Sequence, residues 1–267
     1  MSEKILGVLG GMGPMATAQF LKNVIDMTDA KTDQEHIPML VSNHTTIPDR
    51  TEFILDNSKE NPVPILVKDA LTLEKAGVCG LAMPCNTAHY FFEEIQKAVN
   101  IPVLHIVEET VKFIANRDKS QKKVGILATK GTLFSGVYQD FCKKYDLVPI
   151  EPSKGVSNML MDIIYNKVKQ GKPVSASEFL AVIDDMINDG CDVVVLGCTE
   201  LSVIKSDLKL NQHNIVDSLD VLSKCSIELC EKKVKQECFW WKNHKFLMAL
   251  FKIRSFFVHN LLKNCWN

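Results

Sequence analysis

The chain carries two copies of one short plan. GVLGGMG, from Gly7, is matched by GILATKG, from Gly125, and GLAMPC, ending in Cys85, is matched by VVVLGC, ending in Cys198. Gly125 lies 118 residues after Gly7, and Cys198 lies 113 residues after Cys85. Two segment pairs at nearly one offset point to an internal duplication, and a duplicated chain folds as repeated units. Two similar domains facing each other would set one thiol on each side of a shared cleft.

Between these segments, short apolar runs alternate with longer amphipathic stretches. The expected strands are Ile5–Leu9, Met39–Ser42, Gly80–Met83, Val103–His105, Val124–Ala128 and Val193–Gly197, with a weaker one at Ile215–Val216. Several are apolar on both faces, as strands of a helix-covered parallel sheet must be. The expected helices are Met15–Met27, Val63–Lys75, Ala88–Ala98, Val107–Ala115, Leu133–Lys144, Ser157–Lys169, Ala176–Asn188 and Ser218–Lys233. Thr87 and Ser175 suit helix N-caps, and Gly77 and Gly190 suit C-terminal stops. This alternation is that of βαβ units and an α/β fold. The domains expected are 1–106 with 212–235, then 107–211, then a basic, aromatic-rich extension over 236–267. The last strand and helix would thus return to the first domain.

Composition narrows the function. The 267 residues carry a formal charge of −1, so the chain lacks the basic excess of a nucleic-acid binder. Nine scattered cysteines with no CxxC read as the reduced thiols of a cytoplasmic protein. No charged n-region with a long apolar stretch opens the chain, which speaks against export. His36, His44, His89 and His105 form no zinc spacing. A Ser-His-Asp hydrolase is not expected either, since no GxSxG elbow occurs.

Three places carry chemistry. Gly10-Gly11-Met12-Gly13-Pro14 follows the first strand and opens a helix, where exposed amides attract an anionic ligand. The spacing is not GxGxxG, and no ribose-binding acid follows, so a nucleotide is not the expected ligand. Cys85-Asn86-Thr87-Ala88-His89 sets a thiol at a strand end, where open α/β sheets form their ligand crevice. The helix start would lower that thiol's pKa, and the polar collar would supply donors for a carboxylate. Cys198-Thr199-Glu200 repeats the arrangement. The other seven cysteines read as packing.

GGMGPMAT, PDRT (Pro48–Thr51), MPCNTAH, ATKGT (Ala128–Thr132) and GCTEL, in that order, resemble the aspartate/glutamate racemase family, most closely its aspartate racemase branch. The likeness spans roughly residues 4–235. Glutamate racemases proper show Asp-Ser-Gly after the first strand and a histidine after GCT, whereas this chain has Gly-Met-Gly and Glu200. The resemblance implies two pseudo-symmetric α/β domains with the active site between them, no pyridoxal phosphate, no metal, and a homodimer. It implies Cys85 and Cys198 as the catalytic pair and Arg50 as the holder of an acidic side chain. Lys169 falls where the family has a substrate-binding lysine. Met12, Thr51, Asn86, Thr87, Ala88, Thr199 and Glu200 complete the expected substrate site. The activity implied is cofactor-independent racemisation of an acidic amino acid, aspartate first and glutamate next. One cysteine, as thiolate, would remove the α-proton, and the other, as thiol, would return one to the opposite face.

The rivals are other two-cysteine enzymes of the same superfamily, a hydantoin racemase, maleate isomerase or arylmalonate decarboxylase, and a non-catalytic amino-acid-binding protein. The tail has no counterpart in the family. Residues 236–267 hold Lys242, Lys245, Lys252, Arg254 and Lys263 against Glu237, and all three tryptophans. Lys252 and Arg254 interrupt its apolar run, which is too short for the ~20 residues of a membrane span. Docking on protein is the leading expectation for it, with a weak membrane-surface contact and an acquired or frame-shifted extension without a role as the alternatives.

Overall fold

A computed structural model describes residues 3–210, 212 and 214–236. The first half runs β1 (Leu6–Gly10), α1 (Pro14–Met27), β2 (Met39–Asn43), α2 (Arg50–Leu55), α3 (Val63–Lys75), β3 (Gly80–Ala82), α4 (Phe92–Ala98), β4 (Val103–Leu104) and α5 (Ile106–Arg117). The second runs β5 (Lys123–Leu127), α6 (Lys130–Ser135), α7 (Val137–Lys144), β6 (Val148–Ile150), α8 (Lys154–Met161), α9 (Ala176–Asn188), β7 (Val193–Leu196), α10 (Thr199–Asp207), β8 (Ile215–Asp217) and α11 (Ser218–Leu229).

The two sheets are copies. Their orders are β2-β1-β3-β4 and β6-β5-β7-β8, and every strand pair is parallel. Register repeats as well: Leu6 pairs with Gly80 in one sheet and Val124 with Val193 in the other. Those partners are offset by the same 118 and 113 residues that separate the sequence motifs. The central strands β1, β3 and β7 are buried along their whole length, which explains their lack of apolar–polar alternation. Each sheet is covered by its own apolar cluster. One gathers Leu66, Leu81, Met83 and Ile95; the other gathers Leu160, Phe179, Ile183 and Val194.

Each half lends its last helix to the other. Helix α5 packs on α7 and β8 of the second half, and α11 packs on α1, β3 and β4 of the first. The two exchanged helices also pack on each other. Gly80 makes the approach of α11 possible, since a Cβ there would lie 2.7 Å from Leu229 Cδ2. The sequence reading sent both the last strand and the last helix back to the first domain. The helix does return, but β8 stays in the second sheet, paired with β7. Its three residues are all buried, and that burial is satisfied by a neighbour in its own half.

Other departures have local causes. Edge strand β6 went unseen because it is short, contains Pro149 and is partly exposed. The expected helix Leu133–Lys144 is two, broken at Gly136, whose φ is +72°. The stretch expected as Ser157–Lys169 starts at Lys154, widens through a π-helical segment over Asp162–Lys167 and ends in a tighter 3₁₀ turn, Val168–Gln170. Helices α2 and α10, both under ten residues, were too short for a periodic signal. Ser175 does cap α9, accepting from Glu178 N–H, and Gly77 and Gly190 follow α3 and α9 at positive φ. Thr87 is not an N-cap: its hydroxyl bonds those of Thr129 and Thr132 instead. Beyond Gln236 the expected extension lies outside the described residues.

Candidate active site

The two cysteines follow equivalent central strands, Cys85 after β3 and Cys198 after β7, and they line one chamber of about 10 Å³. That is room for about one water-sized sphere. Met12, Thr51, Asn86, Thr87 and Thr199 share its walls. Asp49, Arg50, Lys169 and Glu200 line both this chamber and an outer cavity of about 290 Å³, which also includes Gly11 and Gly13. Ala88 is the one expected site residue that does not line the chamber; its backbone N–H bonds the Cys85 thiol.

The glycine turn is demanded by packing before it can serve a ligand. Gly11 has φ +91°, and a Cβ there would come within 2.4 Å of the His44 backbone. Its N–H donates to Thr17 Oγ1 at 2.9 Å. This closeness lets the loop run past the chamber as bare backbone.

Arg50 sits at the start of α2, which Asp49 caps by accepting from Glu52 N–H at 3.0 Å. Arg50 Nη1 donates to the carbonyls of Ile47 and Pro48, at 3.1 and 3.0 Å, and Nη2 to that of Met12 at 3.4 Å. Its Nε is buried without a partner. The end of the guanidinium is therefore held by backbone, leaving a donor on its Nε edge. Lys169 is an exposed residue, but its side chain is engaged. Its Nζ lies 3.4 Å from Asp49 Oδ2 and 3.8 Å from the centre of the Tyr165 ring. Tyr165 O–H donates to Asp49 at 3.1 Å. Burial would raise the Asp49 carboxyl, but Lys169 and these hydrogen bonds bring it below the usual range.

Glu200 is 5% exposed, and its two oxygens differ. Cys198 S–H donates to Oε2 at 3.0 Å, while Oε1 is buried without a partner. Buried, unpartnered polar atoms are rare in folded proteins. Here an orphan donor, Arg50 Nε, and an orphan acceptor, Glu200 Oε1, belong to residues lining the same chamber.

The expected lowering of the cysteine pKa is overturned. Burial pushes Cys85 above its ordinary value, although Arg50 pulls it back down. Burial also pushes Cys198 well above that value, and Glu200 pushes it further. The helical segment after Cys85 is a five-residue 3₁₀ turn, Thr87–Phe91, too short to offset desolvation.

The remaining collar braces the loops. Tyr138 O–H donates to Asn86 Oδ1 at 2.7 Å, and Asn86 Nδ2 donates to Ser218 Oγ at 2.9 Å. The Asn86 amide thus faces protein groups, not the open chamber donor role read from sequence. Thr199 Oγ1 donates to the Pro84 carbonyl at 3.2 Å. The sequence reading missed Asp49, Tyr165 and Thr129, which also line the chamber. Asp49 lay inside the PDRT motif, Thr129 inside ATKGT, and Tyr165 four residues before Lys169, one helical turn away. Among the described residues, no group of three or more His, Cys, Asp or Glu side chains is arranged to hold a metal. No described helix is long and apolar enough to cross a membrane.

Comparison with known proteins agrees with this architecture. The family model for Asp/Glu/hydantoin racemase matches residues 9–224. The chain is 30% identical over 228 residues to a broad-specificity amino-acid racemase, RacX, of Bacillus subtilis, covering 84% of this chain and 96% of that one. It is 30% identical over 179 residues to a glutamate racemase of Aquifex pyrophilus, covering 62% of this chain and 64% of the relative. The solved structure of the Picrophilus torridus aspartate racemase superposes with a TM-score of 0.74 at 30% identity, over 88% of this chain and 97% of that one. The chain belongs to the Asp/Glu/hydantoin racemase family and is an amino-acid racemase.

Proposed function

We propose that the protein racemises aspartate, with glutamate next in preference, by a cofactor-independent mechanism in which Cys85 and Cys198 work on opposite faces of the α-carbon. The observation that carries this reading is the pair of thiols from duplicated strand ends lining one chamber. In one direction, the Cys85 thiolate takes the α-proton. The C–H electron pair moves into the substrate carboxylate as an enediolate, and Cys198 S–H delivers a proton to the other face. In the other direction the thiols exchange roles. General acid–base transfer of this kind contributes roughly 10²–10⁴-fold per group.

The orphan groups support a zwitterionic, acidic substrate. Arg50 Nε–H is free for a carboxylate, and Lys169 adds a second cation. Glu200 Oε1 is free for an ammonium. Backbone N–H groups around Cys85 and Cys198 would steady the charge that develops on the α-carboxylate. A chamber of about 10 Å³ is smaller than any amino acid, so binding requires the halves to part and close again.

A broader substrate range is the second reading. It is favoured by the outer cavity of about 290 Å³, whose walls share Asp49, Arg50, Lys169 and Glu200 with the chamber. A longer side chain could extend into it. The deciding experiment incubates single L- and D-amino acids with the protein in D₂O. Loss of the α-proton is followed by NMR, and inversion by circular dichroism. Aspartate is expected to exchange and invert fastest. Equal turnover of neutral or basic amino acids would move the assignment to the broader reading, and no exchange with any of them would end the racemase reading.

A further inference from the structure

The two thiols look out on opposite charges. Cys85 has Arg50 as its main charged neighbour, with Glu200 and Lys169 acting more weakly. Cys198 is hydrogen-bonded to the Glu200 carboxylate at 3.0 Å, with Lys169 as the opposing cation. Tyr165 and Asp49 complete the ionisable lining. A carboxylate that accepts from a thiol stabilises the protonated sulfur, because removing that proton would leave two anions in contact. A guanidinium near a thiol does the reverse.

We propose that Glu200 is a positioning residue that keeps the proton on Cys198, so that the resting site has a fixed polarity: Cys85 as its base and Cys198 as its acid. This rests on the two-thiol racemase reading for its meaning in catalysis, but not for the coupling itself. One turnover from that state breaks the substrate C–H bond and makes Cys85 S–H. It then breaks Cys198 S–H and makes the new C–H bond. The protein is left with a Cys198 thiolate beside the Glu200 carboxylate. That state is the less stable of the two, and it is the one that accepts the opposite enantiomer. The interconversion of mirror images has an equilibrium constant of one, so kcat/KM must be equal in the two directions. The polarity therefore shows as unequal KM and kcat for the two enantiomers, in compensating ratio.

Glu200 is also placed to make this polarity depend on substrate. Its Oε1 is the unpartnered atom offered to an ammonium, and its Oε2 is the acceptor of Cys198. An ammonium on one oxygen draws charge away from the other and eases release of the proton to the α-carbon.

The test is site-resolved alkylation of the ligand-free full chain with iodoacetamide, read by mass spectrometry at fixed pH, for the natural protein, Glu200→Gln and Glu200→Asp. Glu200→Gln keeps the shape and removes the charge. It is expected to raise the Cys198 rate by roughly tenfold or more, the change that one unit of thiol pKa makes. The Cys85 rate should change several times less, and Glu200→Asp should fall between. Unchanged Cys198 alkylation in a folded Glu200→Gln protein overturns the proposal. If that variant does not fold, the pH dependence in the natural protein decides, because Cys198 alkylation rising at lower pH than that of Cys85 overturns it equally. A second arm measures KM and kcat for both enantiomers, whose ratios should move towards one in Glu200→Gln. Altered alkylation without any racemisation would sink the racemase reading and leave the Glu200–Cys198 coupling standing.

Discussion

The loops after β3 and β7 share a backbone plan and differ in charge. Four residues past each cysteine, a side chain ties the loop to the helix that crosses to the other half. His89 accepts the Ile106 N–H at 3.1 Å, at the start of α5, and Ser202 Oγ donates to Asp217 Oδ1 at 2.6 Å, at the cap of α11. The caps themselves correspond. His105 caps α5 and Asp217 caps α11, 112 residues further on. What has diverged is charge: the first loop is braced by neutral aromatic rings, the second by carboxylates. Duplication has kept positions and let the electrostatics of the two sides separate.

The comparison breaks most severely at the thiols. Cys85→Ala and Cys198→Ala should each reduce racemisation by roughly 10³-fold or more, each removing one proton-transfer group of the proposed mechanism. The fold should persist, as read by far-UV circular dichroism. Full racemisation by either variant would show that the two sides are not partners. Arg50→Leu comes next, removing the cation beside the first thiol. Leaving a substrate carboxylate unpaired costs roughly 2–5 kcal/mol, so kcat/KM for aspartate should fall by about 30-fold or more, and far more than for any neutral amino acid. Equal losses for both would put the side-chain subsite elsewhere.

Acid should weaken the first loop before the second. Burial lowers His89 from 6.5 to about 4, and burial with His89 as neighbour lowers His105 to about 2. Both histidines are neutral at pH 7 in either state. Below 6.5 the unfolded chain binds protons first, so stability is lost as pH falls from 6.5 towards 4. His89 alone accounts for about 3 kcal/mol by pH 4. Asp220, pushed up to about 6 by burial and Asp217, works in the opposite sense over the same window, but it is only half-buried and acts more weakly. Denaturant titrations at pH 7 and 4.5 should show the loss, and His89→Gln should flatten it. A flat natural profile would mean that the ring is solvated. The smallest effect belongs to Ser202→Ala, which frees one lone pair of Asp217 and should cost about 1 kcal/mol at all pH values tested.

The duplicated plan was legible because parallel central strands must be apolar on both faces, and those runs stand out. Cys85 and Cys198 were legible because a thiol at such a strand end, followed by polar residues, has no packing need for the collar. Charge state was not. Whether a helix start or burial governs a thiol depends on how much of the partner half covers it, and local sequence carries no record of that. Asp49 and Tyr165 escaped for the same reason: the contact that joins them spans 116 residues. The exchange of α5 and α11 was half legible. An amphipathic helix announces an apolar face, but not which half will cover it.

That exchange governs how the protein can open. The chain passes between its halves twice, through α5 and α11, and these two lie packed side by side. They act as the spine of a book: two adjoining bindings permit the covers to swing but resist twist and slide, which would shear one helix across the other. Close to that spine, Asn86 bonds Ser218, and Ser218 Oγ donates to the Leu196 carbonyl at 2.7 Å. The residue after Cys85 is thereby stitched to the one two before Cys198, through the first residue of α11. A swing about that spine would carry Arg50 and Lys169, on the open side, further than the Asn86–Ser218–Leu196 stitch beside it.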